Sequence, residues 1–389
     1  MSVTAAAGFS ASGVACGIKG EGRADLALVV AEPCVPIAGA GVFTTNKAAA
    51  APVQVSRAHL AASRGQVAGV LLNSGCANAA TGQAGRAAAE RSAGEVAGLL
   101  GVGPESILVC STGLIGDPLP LDALVSGLPT LVSGRGPTRA DALRAAQAIL
   151  TTDTHEKEVV VEIGGAVIGG MAKGAGMIAP NMATMLCVLT TDAAVSPELL
   201  QASLRDAVGE TFNQLTVDGC TSTNDTVIAL ASGRGPALDA GALTDGLTQA
   251  CGALALELAQ DAEGTTRVAR IRVVGAASND DARRAARAVA ESNLVKTSLY
   301  GGDPYWGRIV SELGASGAAF DLDRVRVLYG DVLACAGGTE APHDHAAAAA
   351  ALSGRMVEIT CDLGCGSGAG SVITCDLGHG YIDENMKTS

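Results

Sequence analysis

Residues 173–186 read KGAGMIAPNMATML. A cation, Lys173, leads; Gly174 and Gly176 follow, and Pro180 and Asn181 turn the chain. Ala183 then precedes Thr184, after which MLCVLT has the pattern of a buried strand. Thr184 therefore stands where a glycine-rich loop enters a strand, and a strand is a rigid mount for a reacting group. A threonine hydroxyl is a weak nucleophile and needs a base beside it. If the Ala183–Thr184 bond were cut, Thr184 would carry its own base, because an α-amino group titrates at about 7.7–8.0. On the same residue that amine has little orientation left to lose. The chain also holds the means for the cut: the Thr184 hydroxyl can attack the Ala183 carbonyl, leaving an ester that water hydrolyses. On the spacing alone, an ordinary threonine entering a strand is the commoner reading.

Upstream of this segment, 158–168 predicts a β-hairpin, and 138–150 predicts a helix capped by Thr138. Residues 106–110 (SILVC) predict a strand that runs into a polar turn, STGLIGDPLP. Helix is expected over 84–100 with Gly101 as its stop, and strands at 67–72 and at 26–31 (LALVVA). Downstream, 197–210 opens on a proline and reads as a helix. The polar loop TVDGCTSTND feeds a strand at 226–231. Helices at 239–260 and 280–291 and a strand at 268–274 follow. ITCDLG occurs at 359–364 and again at 373–378, which predicts a hairpin, and 335–350 is the one candidate for a flexible linker. The pattern is mixed α/β with many short strands rather than a simple βαβ alternation.

The 389 residues allow two or three compact units or one large intertwined fold. With 48% hydrophobic residues, bulk disorder is excluded. A net charge of −13 makes the chain a poor binder of phosphate backbones, and 2% aromatics leave little to stack on bases, so no nucleic-acid partner is expected. The uncharged stretches 65–85 and 174–191 are interrupted by polar residues and Pro180, and predict no membrane span. Eleven scattered cysteines and no secretory pattern predict a cytoplasmic protein with reduced thiols. Cys361, Cys365, Cys375 and His379 have a zinc-like spacing, but they fall in the repeated strand sequence, so no metal is expected there. A P-loop, a dinucleotide fingerprint and a G-x-S-x-G elbow are all missing.

Motifs along nearly the whole chain resemble the ornithine acetyltransferase (glutamate N-acetyltransferase) family, self-cleaving N-terminal-threonine enzymes of arginine biosynthesis. They are GVFTTNKAAAAPV (41–53), STGLIG (111–116), TTDT (151–154), KGAGMIAPNMATML, FNQLTVDGCTSTND (212–225), DAEG (261–264) and LVKTSLYGGDPYWGR (294–308). The resemblance implies a layered α/β sandwich of the N-terminal-nucleophile kind. It implies an α chain, 1–183, and a β chain, 184–389, that remain one folded unit and pair again as α2β2. Thr184 would accept acetyl from N-acetylornithine and pass it to glutamate. Thr112 and Gly113 would form the oxyanion hole. Thr151, Lys173, Thr184, Glu263, Asn385 and Ser389 would contact substrate, with Thr152 an equally spaced alternative to Thr151. No cofactor is implied, and acetyl-CoA stays open as a second donor. Rivals with the same nucleophile are an aminopeptidase or amidohydrolase using water, and a transferase of secondary metabolism.

The chain departs from the family pattern at Cys76 and Tyr305, where Asn is usual, and at Cys220, where Asp is usual. These departures bear on specificity rather than chemistry. The tail is also short. The family places Ser or Thr five residues after its terminal Asn, whereas here Asn385 is followed by only four residues, the last being Ser389.

Overall fold

The apolar run LALVVA forms strand Leu26–Ala31, and both of its faces are buried. It lies in a four-stranded sheet ordered Phe9–Val14, Leu26–Ala31, Gly69–Cys76, Ile107–Leu114. Side chains alternate across a strand. Leu26, Leu28 and Val30 accordingly pack with Val96 of helix Gly82–Leu100, Leu128 of helix Leu121–Ser133 and Val55 of helix Ala51–Ala62. Ala27 and Val29 point the other way, into a second core. The structure, a computed structural model, describes residues 2–178 and 185–386; Ala183, Thr184 and Ser389 lie outside the described residues.

That second core is shared with a six-stranded sheet, ordered Gln66–Val67, Ile37–Phe43, Thr226–Ala231, Leu186–Thr191, Ala166–Lys173, Lys157–Ile163. Leu186, Val188, Ile228 and Leu230 supply its side of the core, with Ala142, Ala145 and Ala146 of helix Arg139–Ala148. Two helices cover the sheet elsewhere. Gln201 of helix Pro197–Glu210 bonds both the N–H (3.0 Å) and the C=O (3.1 Å) of Gly41. In helix Ala240–Gln260, Leu243, Leu247, Leu254 and Leu258 are buried at helical spacing. A Cβ at its Gly246 would come within 2.7 Å of Ile163 and Ile168, so this helix lies directly on the sheet. The layers are helices, sheet, sheet, helices: the sandwich that the family resemblance implies. Together these elements make one compact unit, Met1–Asn213 with Thr221–Leu258.

The second unit, Gln214–Cys220 with Ala259–Thr388, is built on one seven-stranded sheet. Ile271 and Val273 of strand Val268–Ala276, Val357 and Ile359 of strand Met356–Asp362, and Val372 of strand Gly368–Cys375 pack under helices Asn279–Glu291 and Trp306–Ala315. The alternate residues Arg270, Arg272 and Glu358 are exposed.

Three expectations are corrected here. The two ITCDLG copies do not pair with each other; each flanks strand Val268–Ala276, one parallel and one antiparallel. A shared sequence reflects a shared environment, the two sides of one central strand, rather than a hairpin. The predicted linker at 335–350 is instead occupied by strands Val332–Ala336 and Thr339–Glu340 and helix His345–Ala351, capped by Asp344. Finally, the strand at 106–110 continues to Leu114, so Thr112 and Gly113 sit at the end of a strand and not on a turn.

Candidate active site

Lys173 ends strand Ala166–Lys173 and is buried, with only 3% of its surface exposed. Its ammonium donates to Thr151 Oγ1 at 2.6 Å and to Thr112 Oγ1 at 3.3 Å, and lies 3.7 Å from Asp153 Oδ2. The structure thus brings together Lys173, Thr112 and Thr151, three of the residues that the family resemblance names. Thr152 is exposed, in contrast to its neighbour Thr151. Because the ammonium donates to both hydroxyl oxygens, each hydroxyl keeps its own proton free to donate.

Asp153 was not singled out from the sequence, yet it organises this cluster. Its carboxylate accepts from Lys157 Nζ at 2.8 Å, from Gly174 N–H at 2.6 Å and from Thr151 N–H at 3.0 Å. The side chains of Lys157 and Asp153 are fully buried. Burial alone would raise the carboxyl's pKa, but the charges of Lys173 and Lys157 and the hydrogen bonds outweigh it and hold it well below the usual range. Lys19 was missed as well. It donates to Leu150 C=O at 2.6 Å, just before Thr151, and burial, with the charge of Arg23 next, brings its ammonium down to about 8. The alternation of THEKEVVVEI reads as a half-solvated hairpin, so nothing local marks Lys157 as a core residue.

Thr112 and Gly113 are placed by the parallel pairing of Ile107–Leu114 with Gly69–Cys76, whose register shifts at Gly75 and Cys76. Gly113 has φ +130°, and a Cβ there would run into the Gly75 backbone, so only glycine fits. Cys76, one of the departures, pairs with Thr112 in this irregular stretch and donates its thiol to Asp117 C=O at 3.5 Å. It therefore borders the predicted oxyanion donors directly.

The T-S-T-N-D motif clamps the same region. Asn224 Nδ2 donates to Ala77 C=O at 2.7 Å and to Ser111 C=O at 2.9 Å, which ties down the residue before Thr112. Ser222 C=O accepts from the Thr44 hydroxyl at 2.7 Å. Asp225 Oδ1 accepts from Met185 N–H at 3.0 Å. Strand Leu186–Thr191 follows at once, paired antiparallel with Ala166–Lys173 and parallel with Thr226–Ala231.

Glu263 and Asn385 belong to the second unit, where Asn385 Nδ2 donates to Glu263 Oε2 at 2.8 Å and to Tyr381 C=O at 2.8 Å. Tyr381 in turn donates to Asp218 Oδ2 at 3.3 Å. Cys220 and Tyr305 are exposed, the latter under the Arg308 guanidinium. The zinc-like quartet is not a site. Cys361 is opposite Val273 and Cys375 opposite Val268, five residues along one strand, or roughly 17 Å apart. Among the described residues, Glu340, His343 and His345 form the one group with donor atoms close enough, within 4.8 Å, to suit a metal.

A buried cation flanked by two hydroxyls suits a carboxylate, and a hydroxyl beside a strand-end N–H suits a developing oxyanion. Residues 10–388 match the model of the ArgJ family. The chain is 48% identical to the "arginine biosynthesis bifunctional protein ArgJ" of Mycolicibacterium paratuberculosis, covering all of this chain and 96% of that one. Its likeness to the protein of the same name from Thermobifida fusca is 46%, over the full length of both. A crystal structure of the Bacillus halodurans protein of that name aligns with 51% of this chain and 97% of its own, at 34% identity and a TM-score of 0.49. No helix among the described residues is long and apolar enough to cross a membrane.

Proposed function

The chain belongs to the ArgJ family, and on that premise we propose that it is an acetyltransferase of arginine biosynthesis that works by two half-reactions on Thr184. In the first, the Thr184 hydroxyl oxygen attacks the acetyl carbonyl of N-acetylornithine, the C–N bond breaks, and ornithine leaves. The hydroxyl proton passes through the Thr184 α-amine to the departing nitrogen. In the second, the amine of glutamate attacks the acetyl ester and the proton returns to the Thr184 oxygen, giving N-acetylglutamate. Thr112 and Gly113 donate to the oxyanion in both halves. Lys173, with Thr151, holds an α-carboxylate, and Glu263, Asn385 and Ser389 complete the substrate contacts. This chemistry needs no resident cofactor; acetyl-CoA would enter as an alternative donor, in keeping with the word "bifunctional" in the relatives' names.

The observation that carries this reading is the buried Lys173 ammonium bonded to both Thr151 and Thr112 at the head of the glycine-rich segment. The free α-amine requires the Ala183–Thr184 bond to be cut. Strand Leu186–Thr191 is hydrogen-bonded on both sides within the six-stranded sheet, which supports fragments 1–183 and 184–389 staying together as α and β chains. The α2β2 assembly and the cytoplasmic location of this reading rest on the family resemblance alone.

The test is to incubate the purified protein with N-acetylornithine and glutamate and identify the products by mass spectrometry. N-acetylglutamate and ornithine should appear, with parallel initial-rate lines and an acetylated peptide beginning at Thr184 when glutamate is left out. Free acetate without N-acetylglutamate would replace the transferase with the hydrolase reading. A single uncut polypeptide from the natural host would overturn the mechanism.

A further inference from the structure

Asp225 is fully buried, and the mechanism above gives it no task. One of its oxygens, Oδ1, accepts from Met185 N–H, while Oδ2 has no hydrogen-bond partner among the described residues. The next residue along, Thr226, donates its N–H to Met185 C=O at 3.1 Å. Both backbone polar groups of Met185 are therefore held by the Asp225–Thr226 pair. Asp225 is itself anchored, since its C=O accepts from Thr44 N–H at 2.9 Å and its neighbour Asn224 bonds Ala77 and Ser111. Met185 N–H lies just before the first ladder residue, Leu186, where a buried donor would otherwise be an orphan.

We propose that Asp225 is a positioning residue for acyl transfer: its carboxyl oxygen grips the amide that joins Thr184 to Met185 and so sets the plane on which the nucleophile is mounted. The inference rests on Thr184 being that nucleophile. A peptide unit is planar, so fixing the N–H at one end orients the carbonyl carbon bonded to it. A side chain that satisfies one buried donor thereby acts on the reacting residue without touching substrate. Small misplacements of a nucleophile are costly, on the order of 10²-fold in rate per ångström. Burial, the leading influence, drives the Asp225 carboxyl toward its neutral form against the pull of Met185 N–H, Lys173 and Ser222. Acceptance of an N–H does not depend on the charge, so the amide of asparagine can replace it.

The test compares Asp225→Ala, Asp225→Leu and Asp225→Asn with the unaltered protein. Self-cleavage is followed by denaturing mass spectrometry, and kcat and KM for N-acetylornithine are measured on the folded, cleaved fraction. Asp225→Ala and Asp225→Leu, which lack the acceptor, should slow cleavage and lower kcat by about 10- to 100-fold, with KM changed less than about threefold. Asp225→Asn should recover kcat to within about fivefold of the unaltered protein. An unchanged kcat in Asp225→Ala, a fall in Asp225→Asn as deep as in Asp225→Ala, or a loss of folding in both Ala and Leu variants would each overturn the inference. The acetylated Thr184 peptide is sought in the unaltered protein alongside. If it is missing there, the nucleophile reading has failed; if it is present and the variants behave normally, the positioning role alone has failed.

Discussion

Two polar clusters carry the predicted substrate contacts, and they are built on opposite principles. In the first unit, Lys173, Lys157 and Asp153 form a cluster of buried charged side chains, and each is held by hydrogen bonds or ion pairs within it. In the second, Glu263 and Asn385 meet through one exposed hydrogen bond at the end of the short helix His379–Asn385. A buried charge cannot turn to water when its partner is lost, whereas an exposed one can. The first cluster therefore couples the site to the stability of the fold. The second can vary with less consequence for the stability of the fold.

That contrast is strongest for Asp153. Asp153→Ala leaves two buried ammonium groups without their shared counter-ion and should destabilise the protein by about 3–5 kcal/mol in urea or thermal unfolding. The pH dependence has a definite sign. Because the native carboxyl titrates below its unfolded value of about 3.9, its stabilisation is complete above that pH. It is withdrawn as pH falls below about 4, and Asp153→Asn should remove that part of the acid limb of the unfolding curve. Retained stability in Asp153→Ala would mean that the lysines find other partners.

Thr112→Ala tests the buried cluster on chemistry rather than stability. Loss of one oxyanion donor should cost roughly 10²–10³ in kcat, about 2.7–4 kcal/mol, with a much smaller rise in KM. An unchanged kcat in steady-state assays would remove Thr112 from the site. In the exposed cluster, Asn385→Ala should lower kcat/KM by about tenfold, near the lower bound for a hydrogen bond to a charged group. Its melting temperature should hardly move, and self-cleavage should go to completion. Ser389→Ala, made in parallel, shows whether the last residue has taken over the family's terminal contact. The smallest effect is expected at a surface ion pair with no link to either cluster. Arg86→Ala, which removes the half-exposed pair with Glu90, should change stability by less than about 0.5 kcal/mol and leave turnover unaltered.

The legible features were local ones. Thr138 caps its helix with a reciprocal pair to Asp141, Gly101 ends its helix with φ +72°, and TVIALA is a strand over its full predicted length. Lys173, Thr112 and Thr151 were legible through motif resemblance, and the structure brings the three together. Asp153, Lys157, Lys19 and Asp225 were not assigned roles, although Asp153 and Asp225 lie inside quoted motifs. Their environments are made by residues far away in the chain: Asp225 receives Met185 from 40 positions off, and Lys173 reaches Thr112 across 61. A sequence window shows a charged residue in a polar loop, and such residues are usually solvated. The same blindness produced the hairpin expectation for ITCDLG, since identical strands can pair with a third strand as readily as with each other.

The order of apolar runs, caps and glycines determined by itself many of the strands and helices, because those preferences act over a few residues. The glycine-rich approach to Thr184 likewise placed a candidate nucleophile without any tertiary information. Which charges would be buried was decided only when strands, loops and helices from distant parts of the chain packed together. Enclosure depends on side chains from several elements meeting at once, and the energy of a charge depends on everything that has replaced its water. That is why Lys157 passes for an ordinary surface lysine in the sequence and stands in the folded chain, with Lys173, in one cluster around Asp153.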